Sequence, residues 1–196
     1  MTLYFKIHRA IFDRTEHLSG LGPLALRLFL VPVFWVAGTN KLAGFEGVVG
    51  WFDQGLGLPF PTLMAGLATW VEIIGAILLF LGLATRWIAI PLMGTMLVAI
   101  FAVHWENGWQ AVHDLHSWGA NSNAEGALTR LDRAKDILQE HGNYEWLTEK
   151  GSFVVSNNGI EFGATYFVML LALFFSGGGR YFSVDYFLNR HFQPKP

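Results

Sequence analysis

The chain contains no cysteine. A dithiol relay, a cysteine-ligated zinc site and an iron–sulfur cluster held by this chain are therefore excluded. Charge is scarce too. Asp, Glu, Lys and Arg make up 14% of the 196 residues, against about 25% in soluble domains. With a net charge of −2 there is no basic footprint for nucleic acid. Neither a P-loop nor a Gly-x-Gly-x-x-Gly turn after a strand occurs. No two histidines fall inside the apolar runs, which argues against a bis-histidine haem held by this chain alone, and no nucleophile–base pair can be read. A cleavable signal peptide is not expected. The first apolar run, about residues 21–39, is too long and too deep for one, and it lacks a small-x-small cleavage site.

What fills the chain instead is apolar. Hydrophobic residues reach 53%, and the mean hydropathy is +0.37. Long apolar runs cover about residues 21–39, 62–84, 87–103 and 160–175. At 1.5 Å per residue, the second run is long enough for a hydrocarbon core of about 30 Å. The fold expected is an all-α integral membrane four-helix bundle, with an extramembrane helical insert over 105–159 between helices three and four. Residues 1–20 form an amphipathic segment and 21–196 the membrane domain. In the segment, Leu3, Tyr4, Ile7, Ile11 and Phe12 share one face. Such a helix lies at the membrane surface or packs on its own bundle. Residues 40–61 read as a loop, with two glycines and two prolines making a fixed turn at 55–61.

In the insert, Ser122-x-x-Glu125 is a capping box. Ala127, Leu128, Leu131, Ala134 and Leu138 then form a stripe that Gly142 ends. Lys6, Arg9, Arg14, Arg86, Arg180, Arg190 and Lys195 fall on the side of the termini. The positive-inside rule then places both termini in the cytoplasm and the insert on the periplasmic side.

The intramembrane charges are the first candidate site. Glu72 sits near the middle of the second run, flanked at helical spacing by Ala65, Ala68, Thr69, Gly75 and Ala76. Small residues let another helix approach, so Glu72 is expected to face into the bundle. Arg27 and Lys41, about 21 Å apart along helix one, are its candidate partners. Either the three line a polar pocket for a quinone, a proton or a small substrate, or they form a structural ion pair that fixes helix register. Asn40, Lys41, His104 and Glu161 fall at the outer helix ends. They line the pocket mouth, or they are interfacial residues reaching water. His113-Asp-Leu-His116 offers two imidazoles at i, i+3 for a metal, against the reading of a solvated loop. No third ligand has motif spacing.

Several pieces resemble the DoxX family of small four-helix membrane proteins. They are Leu26-Arg27 with Gly38-Thr-Asn-Lys41, Gly57-Leu-Pro-Phe-Pro61, Val71-Glu72 and Leu81-Gly-Leu-Ala-Thr-Arg86. His104, Asn158-Gly-Ile-Glu161 and Gly177-Gly-Gly-Arg-Tyr-Phe-Ser-Val-Asp185 complete the set. No single piece is specific; their order and spacing are. The insert departs from the family's simplest members, and its segment 131–149 looks like the HvfX branch. That branch implies maturation or export of a small copper-binding modified peptide. The wider family implies a quinone-linked oxidoreductase complex as the alternative. Copper and a quinone are thus the implied cofactors, although family membership fixes no reaction. The implied location is the bacterial inner membrane. The implied partners are the lipid bilayer and membrane or periplasmic proteins, with a homo-oligomer left open.

Overall fold

The computed structural model describes residues 2–112 and 122–192. The chain forms two compact units, one of residues up to Thr95 and from Tyr166 onward, the other Met96–Thr165. Among the described residues every regular element is helical, apart from one isolated bridge between Val112 and Ser156. The helices are α1 (Thr2–Thr15), α2 (Leu21–Ala43), α3 (Phe45–Gly50), α4 (Pro61–Leu81) and α5 (Thr85–Val98). They continue with α6 (Ser122–His141), α7 (Tyr144–Thr148), α8 (Glu161–Ser176) and α9 (Val184–Phe192). Three stretches, Glu16–Ala43, Pro61–Leu81 and Thr85–Asn107, are long and apolar enough to cross a membrane. α8 is apolar but has 16 residues, or about 24 Å. The protein is an all-α integral membrane protein.

In the first unit, α2 and α4 pack through complementary stripes. Arg27, Leu30, Phe34 and Gly38 are the buried residues of α2, three or four apart. On α4 the buried side carries Ala65, Thr69, Glu72, Ile73, Gly75, Ala76 and Leu79. Its small members let the backbones approach. A Cβ at Gly38 would sit 2.7 Å from Ile73 Cγ1 and 3.1 Å from Glu72 Cβ, so only glycine fits there. The opposite side of α4 exposes Leu63, Leu67, Trp70, Ile74, Ile77 and Phe80, again at helical spacing. In a bilayer this stripe meets acyl chains. Pro61 opens α4 at a position where its missing N–H costs nothing. Gly82, at φ +63°, closes the helix with N–H bonds from Gly82 to Leu79 O and from Leu83 to Leu78 O.

Residues 40–61 are more ordered than a loop. α2 continues to Ala43, α3 follows, and a π-helical turn spans Trp51–Gly55. The glycine-rich composition hid an apolar anchor, Phe52, which is buried. The turn itself comes at Gly57 and Phe60, both at positive φ.

In the second unit, π-helical turns over Ala99–His104 replace the α-helix that the hydropathy pattern suggests up to Val103. On α6, Ala127 and Leu131 are buried and Ala134 and Leu138 half-buried, so the stripe is the packed side of the helix. Gly142 N–H bonds Leu138 O at 2.9 Å and ends the helix. Asn143 caps α7 by accepting from Trp146 N.

Candidate functional site

The buried pair at the α2–α4 contact forms the core of the site. Lys41 Nζ lies 2.7 Å from Glu72 Oε2, with side-chain exposures of 27% for Lys41 and 4% for Glu72. A carboxylate buried this far inside a span needs a partner, because leaving it unpaired in hydrocarbon costs several kcal/mol. Lys41 lies one turn beyond Gly38 on the same face. Helical side chains lean toward the helix N-terminus, which carries Lys41 Nζ back to the level of Gly38, where Glu72 stands. Of the two cations that the sequence offers Glu72, the structure brings Lys41 to it. Two charges thus sit together in an apolar layer, able to hold or exchange a proton or to receive a polar group.

Arg27 goes the other way. It is fully buried. Its Nη1 donates to Leu79 O at 2.8 Å and to Phe80 O at 3.2 Å, and its Nη2 donates to Phe182 O at 2.7 Å. The guanidinium therefore caps the C-terminal, partly negative end of α4 and binds the irregular strap that follows α8. The strap is held from both sides. Asp185 N–H donates to Gly82 O at 3.0 Å. The Asp185 carboxylate accepts from Ala84 N at 2.7 Å and Thr85 N at 2.9 Å, capping α5 from a distance of a hundred residues in sequence. Ser183 Oγ donates to Gly179 O and accepts from Tyr186 N, opening α9. Three sequence pieces, around Arg27, Leu81–Arg86 and Gly177–Asp185, are thus one joint.

The outer candidates serve the backbone. In the second unit, His104 Nδ1 lies 2.8 Å from Asn158 O, a geometry that requires the protonated Nδ1 to donate. Asn107 donates to the same carbonyl, and Asn158 takes the left-handed φ of +58° there. Glu161 Oε2 accepts from Ala111 N at 3.0 Å. Asn157 Nδ2 donates to Asn107 O and Gln110 O. His104 and Glu161 therefore knit residues 104–111 to 157–161. In the first unit, Asn40 is exposed next to Lys41, and its carbonyl accepts the Gly44 N–H that ends α2. His113 and His116 lie outside the described residues. Among the described residues no group of three His, Asp or Glu could hold a metal ion.

Phe182 and Asp185, which the sequence offers only as members of the Gly177–Asp185 piece, organise the joint. The α5 cap by Asp185 and the capture of the Phe182 carbonyl join segments far apart in sequence, and no local signal announces them. Gly38 was marked by its type; its contact with the Glu72 backbone region needed the helix pairing.

The family model described as DoxX matches residues 22–105. Over 83 residues the chain is 37% identical to "Putative oxidoreductase CatD" of Bacillus subtilis (strain 168), covering 42% of this chain and 60% of that protein. Over 67 residues it is 39% identical to "Inner membrane protein YphA" of Escherichia coli (strain K12), covering 34% of this chain and 47% of that protein. The chain thus spans about half the length of the curated relatives it matches. No solved structure matches. The matched segment contains Arg27, Asn40, Lys41, Glu72 and His104.

Proposed function

We propose that this chain, DoxX-like over residues 22–105, is a multi-pass inner-membrane accessory protein whose working centre is the Lys41–Glu72 pair. The observation that carries the reading is that pair itself. An ionised couple at the heart of an apolar helix contact is costly to keep, and intramembrane ionisable residues mark functional sites by default. The similarity to a protein named for the inner membrane supports the location.

Within that role, the reading we favour is maturation or export of a small copper-binding modified peptide. It rests on the insert over 131–149, whose pattern resembles the HvfX branch. Copper enters as the cargo of the peptide. In the native host, Glu72→Gln is expected to lower the amount of copper-loaded peptide released at least several-fold, with the protein still present in the membrane. Unchanged release would overturn the reading.

The name of the Bacillus relative favours a second reading, a quinone-interacting subunit of an oxidoreductase complex. Quinone extracted in stoichiometric amount with the purified protein, and lost in Glu72→Gln, would decide for it.

The proposed orientation has both termini in the cytoplasm, following the distribution of Lys and Arg. This requires α8 to cross despite its 16 residues, which local thinning of the bilayer allows. A reporter active only in the cytoplasm is expected to work when fused after Pro196 and to fail when inserted at Asn121. Activity at both positions would show that α8 does not span.

A further inference from the structure

We propose that the cavity beside the glycine-rich strap binds the phosphodiester headgroup of an anionic phospholipid. The cavity, of about 650 Å³, lies wholly in the first unit. Arg86, Arg180, Trp87, Pro23, Tyr186 and Asn189 are among its lining residues. Three observations point to a phosphate with an apolar attachment.

The first is charge. Among the described residues two guanidiniums and one carboxylate line the cavity, and that carboxylate, Asp185, is already engaged by the Ala84 and Thr85 N–H groups. Arg86 spends Nη2 on Phe175 O at 3.0 Å, and its remaining donors are those that suit a phosphate fork. Arg180 meets Glu16 at 3.6 Å, with side-chain exposures of 52% and 73%. An exposed pair this long is weak, so a phosphate can take its place.

The second is shape. Gly177 and Gly179 adopt φ of +75° and +90°. A Cβ at Gly177 would come within 3.2 Å of Arg86 Nε, and one at Gly179 within 2.9 Å of Gly20 O. The glycines of the strap therefore pass close to Arg86 and to Gly20 where no side chain would fit. The resulting volume falls in the range of small-molecule sites, about 300–1,000 Å³.

The third is position. The cavity stands where α4 ends and α5 begins, at the end of two spans, which is the depth of lipid headgroups. Trp87 is 77% exposed, and Tyr181 and Phe182 are exposed nearby in the strap. Aromatic residues at that depth mark the membrane interface. Pro23 and Trp87 offer an apolar wall for the glycerol and the first carbons of an acyl chain, which a free phosphate ion would leave unused.

The test titrates the detergent-purified full chain with phosphatidylglycerol, phosphatidylcholine or inorganic phosphate, read by native mass spectrometry. Phosphatidylglycerol is expected to bind at least ten-fold more tightly than phosphatidylcholine. Arg180→Gln and Arg86→Gln should each weaken it several-fold, and Arg86→Lys less than Arg86→Gln. Because Arg86 also holds the Phe175 carbonyl, Arg180→Gln is the decisive variant should Arg86→Gln fail to fold. Arg190→Gln, a basic residue of α9 outside this cavity, should leave binding unchanged. Equal loss in Arg190→Gln and Arg180→Gln would reveal diffuse attraction to anionic lipid and overturn the site. Inorganic phosphate that binds alone, or displaces phosphatidylglycerol at millimolar concentration, would overturn the lipid as its source. Equal affinity for the two lipids would overturn the proposal altogether.

Discussion

Lys41→Met is expected to destabilise the protein by on the order of 3–5 kcal/mol, and Glu72→Gln by clearly less. The two halves of the pair are not equally buried: the Glu72 side chain is 4% exposed, that of Lys41 27%. Removing the lysine strands a carboxylate packed beside Gly38 and Ile73, out of reach of water. Removing the acid strands an ammonium on a flexible stem in the last turn of α2, from which it can reach the interface. The double variant Lys41→Met/Glu72→Gln should recover much of the loss, since no charge is then unpaired. Thermal unfolding in detergent, followed by tryptophan fluorescence, measures all three. A Lys41→Met protein as stable as the parent would mean that the pair contributes nothing. Equal losses in the two single variants would refute the burial argument.

Arg27→Leu is expected to prevent accumulation of folded protein. The substitution keeps the apolar bulk but removes the guanidinium from the carbonyls of Leu79, Phe80 and Phe182. Leu79 O keeps the Gly82 N–H, but the Phe80 and Phe182 carbonyls lose the Arg27 donor. An orphaned carbonyl costs about 1–3 kcal/mol, and two together take a large share of the stability of a typical domain. Arg27→Lys should be intermediate. A single ammonium can serve the α4 end or the strap, but it lacks the planar fork that reaches both. Membrane yield and limited proteolysis of the segment after Ser176 distinguish the cases. In Arg27→Lys the strap should be cut faster while α4 stays protected. An Arg27→Leu protein with parental yield and an uncut strap would show that the capping bonds are dispensable.

The apolar runs of α2, α4, α5 and α8 were legible because hydropathy and length are local properties. So was the small-residue face of α4, since Ala65, Thr69, Glu72 and Ala76 recur at helical spacing. The choice between Arg27 and Lys41 was half-legible. Both side chains lean toward the start of α2. In an antiparallel pairing with α4 that lean takes Arg27 to the end of α4 and Lys41 to its middle. The ranges alone did not supply the pairing. α3 and the π-helical turn at Trp51–Gly55 were hidden by glycines, whose low helix propensity the buried Phe52 overrides. The short α9 was missed because its start is set by Ser183, whose hydroxyl caps it within a strap fixed by Arg27 and Asp185. His104 and Glu161 read as a pocket mouth from their helix-end positions. Their backbone bonds to Asn158 and Ala111 depend on a loop geometry that no periodicity encodes.

The Arg27 joint also bears on biogenesis. The guanidinium leaves the ribosome 52 residues ahead of the first carbonyl it will hold and 155 ahead of the last. α2 must therefore enter the bilayer carrying a cation whose permanent partners do not yet exist, sheltered meanwhile by water, lipid phosphate or the insertion machinery. Arrival of the strap removes that burden, so a segment made after α8 completes the hydrogen bonding of a cation carried by α2. A chain stopped before Phe182 would have all of its long apolar helices and still present a half-satisfied arginine, a flaw that membrane quality control could detect.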